Sequence, residues 1–141
     1  MKYQGKPTKG IEFYNLLNQS QEFTSELGRV ALASGQLEAG LILLLKRHNI
    51  NEKYNKATLG RLIRFANKYN LITNNDKISF EMISRQRNYI THNIYALFID
   101  LINETVLEKE NLLDTDVILY IERVSQLKEN LIGLAESIKN S

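Results

Sequence analysis

Residues 114–138 read DTDVILYIERVSQLKENLIGLAESI, and this stretch decides the fold class. Val117, Ile121, Val124, Leu127, Leu131, Leu134 and Ile138 recur at spacings of three and four, the stripe of an amphipathic helix. Asp114 stands ahead of it as a candidate N-cap. The same period appears three more times upstream. Phe13, Leu17, Ser20, Thr24, Leu27, Ala31, Ser34, Leu37, Leu41, Leu44 and His48 predict one long helix over residues 12–48, ~55 Å at 1.5 Å per residue. Gly28 and Gly35 share one of its faces and mark either a close helix–helix approach or a bend. Leu59, Leu62, Ile63 and Ala66 predict a short helix over 57–70, with Arg61, Arg64 and Lys68 outward. Asn74-Asn75-Asp76 reads as a turn ending in an N-cap. A third helix then runs to about residue 103, with Ile83, Ile90, Ile94, Leu97 and Leu101 on its apolar side.

No segment reads as a strand, and Pro7 is the only proline in 141 residues. The reading is therefore all-α: an antiparallel four-helix bundle with one long N-terminal helix. Residues 1–10, with Gly5, Pro7 and Gly10, form an irregular arm, and 11–141 form one domain. Residues 104–111 read equally as helix or loop.

Composition narrows the chemistry. With no cysteine, disulfides, thiolate metal sites and thiol nucleophiles are excluded. His48 and His92 are the only imidazoles, and without a clustered carboxylate they make a poor metal site. No metal or cofactor is expected. His48 closes the first helix, where a cation suits the C-terminal dipole. The N-terminus lacks the apolar core of a signal peptide, and the run Leu41–Leu45 is far shorter than the ~20 residues of a bilayer span. The expected compartment is the cytosol, without membrane partners.

The net charge of +2 conceals an uneven distribution. Residues 46–87 carry ten basic and three acidic side chains, whereas 88–141 carry four and nine. The middle block can present a basic face to a polyanion, or the two blocks can neutralise one another.

Within the third helix, residues 85–95 read RQRNYITHNIY. Asn88, His92 and Tyr95 fall at i, i+4 and i+7, and Ser84 extends the line by one turn. Arg87 lies five residues before His92, ~140° around the helix. A polar stripe within an apolar helix belongs to a cleft, a subunit surface or a buried hydrogen-bonded network.

Arg87-Asn88 and His92 resemble the Arg-Asn-x3-His signature of the HEPN superfamily, which is also placed in the third helix of a four-helix bundle. The resemblance implies a metal-independent endoribonuclease whose homodimer joins two motif copies in one cleft. RNA brings its own nucleophile, the 2′-hydroxyl. His92 would act as general acid or base, and Arg87 would stabilise charge on the phosphorus. Asn88 would orient one of them, with Tyr95 and Ser84 in support. Arg61, Arg64, Lys68 and Arg85 would guide RNA through phosphate contacts. One HEPN subgroup serves as the toxin of a toxin–antitoxin pair, controlled at a tyrosine two residues after the histidine. Here that position is Ile94, and Tyr95 stands three after. The resemblance thus implies RNA as substrate and an antitoxin or neighbouring regulatory protein as partner, in a toxin or phage-defence setting. HEPN domains also include silent modules that bind a partner protein or nucleotide, and in that reading Arg87 pairs with Glu81 or the acidic last helix.

Overall fold

A computed structural model describes residues 7–8, 10–54, 56–99, 112–113 and 116–140, with side chains placed for 11–54, 56–94 and 116–140. The protein is all-α in its body. Its helices are α1 (Gly10–Gln19), α2 (Gln21–Arg47), α3 (Leu59–Lys68), α4 (Asn74–Ile99) and α5 (Val117–Lys139). One short pairing departs from the all-helical expectation: β1 (Pro7–Thr8) joins β2 (Leu112–Leu113) antiparallel, with Pro7 opposite Leu113. Two residues per strand are too few to leave a period in the sequence. The N-terminal arm is thereby tied down at Pro7–Thr8 and gives way to helix at Gly10.

The expected single N-terminal helix is two. Ser20 takes an extended conformation (φ −74°, ψ 110°), and its Oγ accepts a hydrogen bond from the N–H of Phe23 at 3.1 Å. The side chain thus satisfies a donor that an unbroken helix would have used, and α2 starts afresh. The restart shifts the buried face. Phe23, Val30, Ala33, Leu37, Leu41 and Leu44 point inward, in place of Thr24, Leu27, Ala31 and Ser34. Gly28 and Gly35 lie inside the unbroken span of α2 and approach no neighbour among the described residues, since a Cβ at either would meet nothing within 4 Å.

Helix ends follow local chemistry. Asn49 and Asn70 adopt φ near +54° and +57° just past α2 and α3. Ile50 N–H then reaches Leu45 O and Leu71 N–H reaches Ala66 O, the 6→1 bond of a Schellman ending. His48 is the C-cap of α2, at the helix end where its position put it. Helix α4 begins earlier than expected, because its cap is Thr73 and not Asp76. Thr73 Oγ1 accepts from Asp76 N–H (3.1 Å), and Asp76 Oδ2 accepts from Thr73 N–H (3.3 Å), a reciprocal capping box. Asp114 lies outside the described residues, and Asp116 occupies the N-cap of α5.

Direction is the main surprise. Along the seam between α2 and α5, Glu26 meets Lys128 and Gly40 meets Ile138, so these two helices run the same way. Along α4 and α5, Asp76 meets Ser137 and Gln86 meets Asn130, so α4 runs against α5. A strictly alternating antiparallel path is therefore not followed by α2 and α5. The reason lies in α3. Its ten residues span ~15 Å against ~40 Å for α2, so it turns the chain without carrying it back along the whole length.

The core is a continuous apolar cluster in which Phe13 of α1 stacks edge-on against Tyr120 of α5, with ring centroids 5.1 Å apart. Leu59, Leu62, Ile63 and Ala66 of α3 join it, as their spacing predicts. So do Val124, Leu127, Leu131, Leu134 and Ile138 of α5. Helix α2 is also long and apolar enough, by length and composition alone, to cross a membrane. The run Leu41–Leu45 understates this, because the apolar residues of α2 occupy two faces, one turned inward and one outward.

Polar contacts also fix the helices to each other. Asp76, 4% exposed, also accepts from Ser137 Oγ at 2.6 Å, which pins the start of α4 to the end of α5. Asp76→Ala removes the reciprocal half of the capping box and a buried charge-assisted bond, and is expected to cost about 2 kcal/mol in urea unfolding. Glu26 and Lys128 pair across α2 and α5 at 2.8 Å. The hydrogen bond from Lys128 lowers the Glu26 pKa, and the same bond raises that of Lys128. A carboxylate whose folded value is depressed stabilises the fold above its unfolded value and loses that contribution as pH falls through the folded one. The raised ammonium loses its contribution only as pH rises through its own folded value. The urea midpoint of the wild type should therefore fall more steeply between neutral and acid pH than that of Glu26→Gln. Parallel profiles would refute the coupling.

Candidate functional site on α4

The inward face of α4 is set by Ile83 and Ile90, seven residues apart and both buried. The opposite face carries Ser84, Asn88 and His92 at successive turns. Ser84 is half-buried, while Asn88 and His92 are exposed. The stripe that the sequence placed within an apolar helix is thus a surface stripe. Arg85 is exposed and precedes His92 by seven residues, so it shares this face to within ~20°. Arg87 is exposed on the flank, where the five-residue offset puts it. The Tyr95 side chain, with Leu97 and Leu101, lies outside the described residues, as do 104–111.

Besides Asp76 at its start, α4 buries a second polar residue, Asn93, at 0% exposure. Its Nδ2 donates to Tyr89 O at 2.7 Å, a bond back along its own helix. Its Oδ1 is enclosed and has no hydrogen-bond partner among the described residues. A signal for this existed in the sequence, since Ile83, Ile90 and Asn93 follow a 7–3 spacing.

Beside the stripe, Met82, Arg85, Gln86, Tyr89 and Arg123 line a concavity between α4 and α5. The Arg123 guanidinium lies 5.3 Å from the centre of the Tyr89 ring, a cation–π contact. Asn130 Nδ2 donates to Gln86 Oε1 at 2.9 Å and fixes the wall of that concavity. Arg123 belongs to the acidic last third of the chain. Only the pairing of α4 with α5 brings it beside Arg85, and no local pattern signals it.

The four side chains expected to guide RNA are all exposed, on two different helices. Arg85 shares the face of His92. Arg61, Arg64 and Lys68 are exposed on α3, which leads into α4 at Thr73. His92 is 18 residues further along from Asn74, ~27 Å along the axis. Lys68 is also engaged: its Nζ and the Tyr69 hydroxyl both donate to Glu52 Oε1 at 2.8 Å. The hydrogen bond from Lys68 lowers the Glu52 pKa and raises that of Lys68, so each holds the other charged. Arg61 leans over Phe65, 5.5 Å from the ring centre. Among the described residues, no three His, Asp or Glu side chains converge on a point that could hold a metal ion.

Comparison with protein-family models, curated proteins and solved structures finds no match to this chain.

The enclosed amide of Asn93 yields a prediction. Asn93→Leu replaces a half-satisfied buried group by an apolar one of similar size, and should raise the unfolding free energy by about 1 kcal/mol. A lower urea midpoint would show that Oδ1 has a partner.

Proposed function

We propose that this chain is a metal-independent endoribonuclease of HEPN type, with its active residues on α4. The architecture then reads as a HEPN-like four-helix bundle in which α1 and α2 together take the place of the first helix. The observation that carries the reading is the pairing of Asn88 and His92. They stand one turn apart on an exposed face of a long helix, with Arg85 in line and Arg87 on the flank. A histidine enclosed in the core of its own chain would have no access to a phosphodiester, and His92 is exposed.

In this mechanism His92 takes the proton of a ribose 2′-hydroxyl, and O2′ attacks the adjacent phosphorus. The P–O5′ bond breaks, leaving a 2′,3′-cyclic phosphate, and O5′ departs with a proton. Arg87 donates two parallel hydrogen bonds to the non-bridging oxygens as charge builds on them. Asn88, one turn before His92, orients the imidazole or the phosphate, and Ser84 and Tyr95 flank the same line. A second copy set against this face brings two sets of these residues into one cleft and supplies the imidazolium that protonates O5′. Arg85 takes a neighbouring phosphate, and Arg61, Arg64 and Lys68 contact a longer RNA further along. The setting is that of a cytosolic toxin or defence protein, held by an antitoxin or neighbouring regulator.

Purified protein incubated with mixed RNA in EDTA should cleave it and leave cyclic phosphate ends. His92→Ala and Arg87→Ala should each slow cleavage by about 10²–10⁴-fold. Arg85→Ala should weaken RNA binding and flatten its salt dependence. Cleavage that survives both substitutions would overturn the reading. Absence of cleavage together with a stable complex to a partner protein would make this a silent binding module.

A further inference from the structure

The outward face of α2 has no covering in the described structure. Leu32 is 76% exposed and Leu43 61%, and Ile132 of α5, 38% exposed, lies beside Leu32 along the same groove. Large apolar side chains this open, and grouped on one face, mark a contact surface. The face is continuous: Gly28, Leu32, Gly35, Ala39 and Leu43 recur at spacings of four, three, four and four, and all five are exposed.

We infer that this face of α2 binds the same face of a second copy of the chain, antiparallel, about a two-fold axis between Gly35 and Gln36. The order of side chains supports this occupant. About that axis Leu43 of one copy falls opposite Gly28 of the other, and Leu32 falls opposite Ala39. Each large residue meets a small one, twice over by symmetry, as an isologous interface requires. Neither glycine is filled from within its own chain. Charge agrees with the same orientation. Glu22 lies at the start of α2 and Lys46 and Arg47 at its end, so the antiparallel arrangement sets acid against base at both edges, and a parallel one sets like against like. Antiparallel helix dipoles also attract.

This inference does not rest on the ribonuclease reading. The groove beside Leu32 is shared with α5, and α4 borders α5 on a different side, through Arg123 and Asn130. The α2 contact therefore leaves Asn88 and His92 uncovered.

The absence of cysteine makes the test direct. In sedimentation at equal concentration, the wild type should have at least twice the mass of Leu32→Glu, with the two matching in helix content and melting temperature. Equal masses would overturn the proposal and assign the face to a different partner or to a membrane. Gly35→Cys should cross-link into a covalent dimer on mild oxidation. Gly28→Cys should not, because antiparallel packing sets it ~22 Å from its own copy. Cross-linking of both to the same extent would overturn the antiparallel arrangement.

Discussion

The seam between α2 and α5 is the contact on which the rest of the structure depends. It joins the two apolar stripes that form most of the core, Phe23 to Leu45 on one side and Tyr120 to Ile138 on the other. These helices run in the same direction, so their dipoles lie side by side unfavourably. Packing must therefore carry the seam, with α4 running against α5 on its other flank to offset the dipoles. One member of the α2 stripe is a carboxylate. Glu26 occupies the turn between Phe23 and Val30, a largely enclosed charge held by Arg29 of its own helix and, across the seam, by Lys128. The pair across the seam also sets which residues of the two helices face each other. Sliding α5 by one turn would separate the charges.

Where α4 can present polar groups follows from that seam. Its inner face is taken by Ile83, Ile90 and Asn93, and its α5-facing edge by Met82, Gln86 and Tyr89. The side left over carries Asn88 and His92. An exposed imidazole on a helix is accessible but not preorganised, since water screens its partners and competes for the phosphate. The chemistry assigned to this stripe thus needs a second surface to close over it. That is the physical argument for the proposed cleft between copies, quite apart from the family resemblance.

Much of the helix content is legible in the sequence because α3 and α5 keep an unbroken three-and-four spacing from end to end. Where a side chain interrupts the backbone pattern, periodicity misleads. A stripe read straight through Ser20 continues to Thr24 and Ala31, whereas the capped restart selects Phe23, Val30 and Ala33. The same holds at Thr73, whose box with Asp76 starts α4 three residues before the turn reading allows. Direction is invisible in principle: a stripe states which face is buried and not which neighbour covers it or which way that neighbour runs. Of the candidate site, the Asn88–His92 spacing is local and legible. The arrival of Arg123 beside Arg85 depends on how helices meet.

The outward faces of α2 and α4 have different origins, and this bears on assembly. On α2 the second stripe is apolar and alternates large with small, which suits permanent burial. On α4 the outward stripe is polar and hydrogen-bonding, which suits a contact that forms around a ligand and opens again. A chain carrying two self-complementary faces on different helices closes into a tetramer if the two axes meet at right angles, into a larger closed ring at a few other angles, and otherwise extends into a chain of copies. Strength then divides the roles. The apolar α2 contact would hold copies together in the absence of RNA, and the polar α4 contact would be free to respond to substrate or to a regulator. A protein built this way separates the surface that sets its assembly from the surface that does its chemistry.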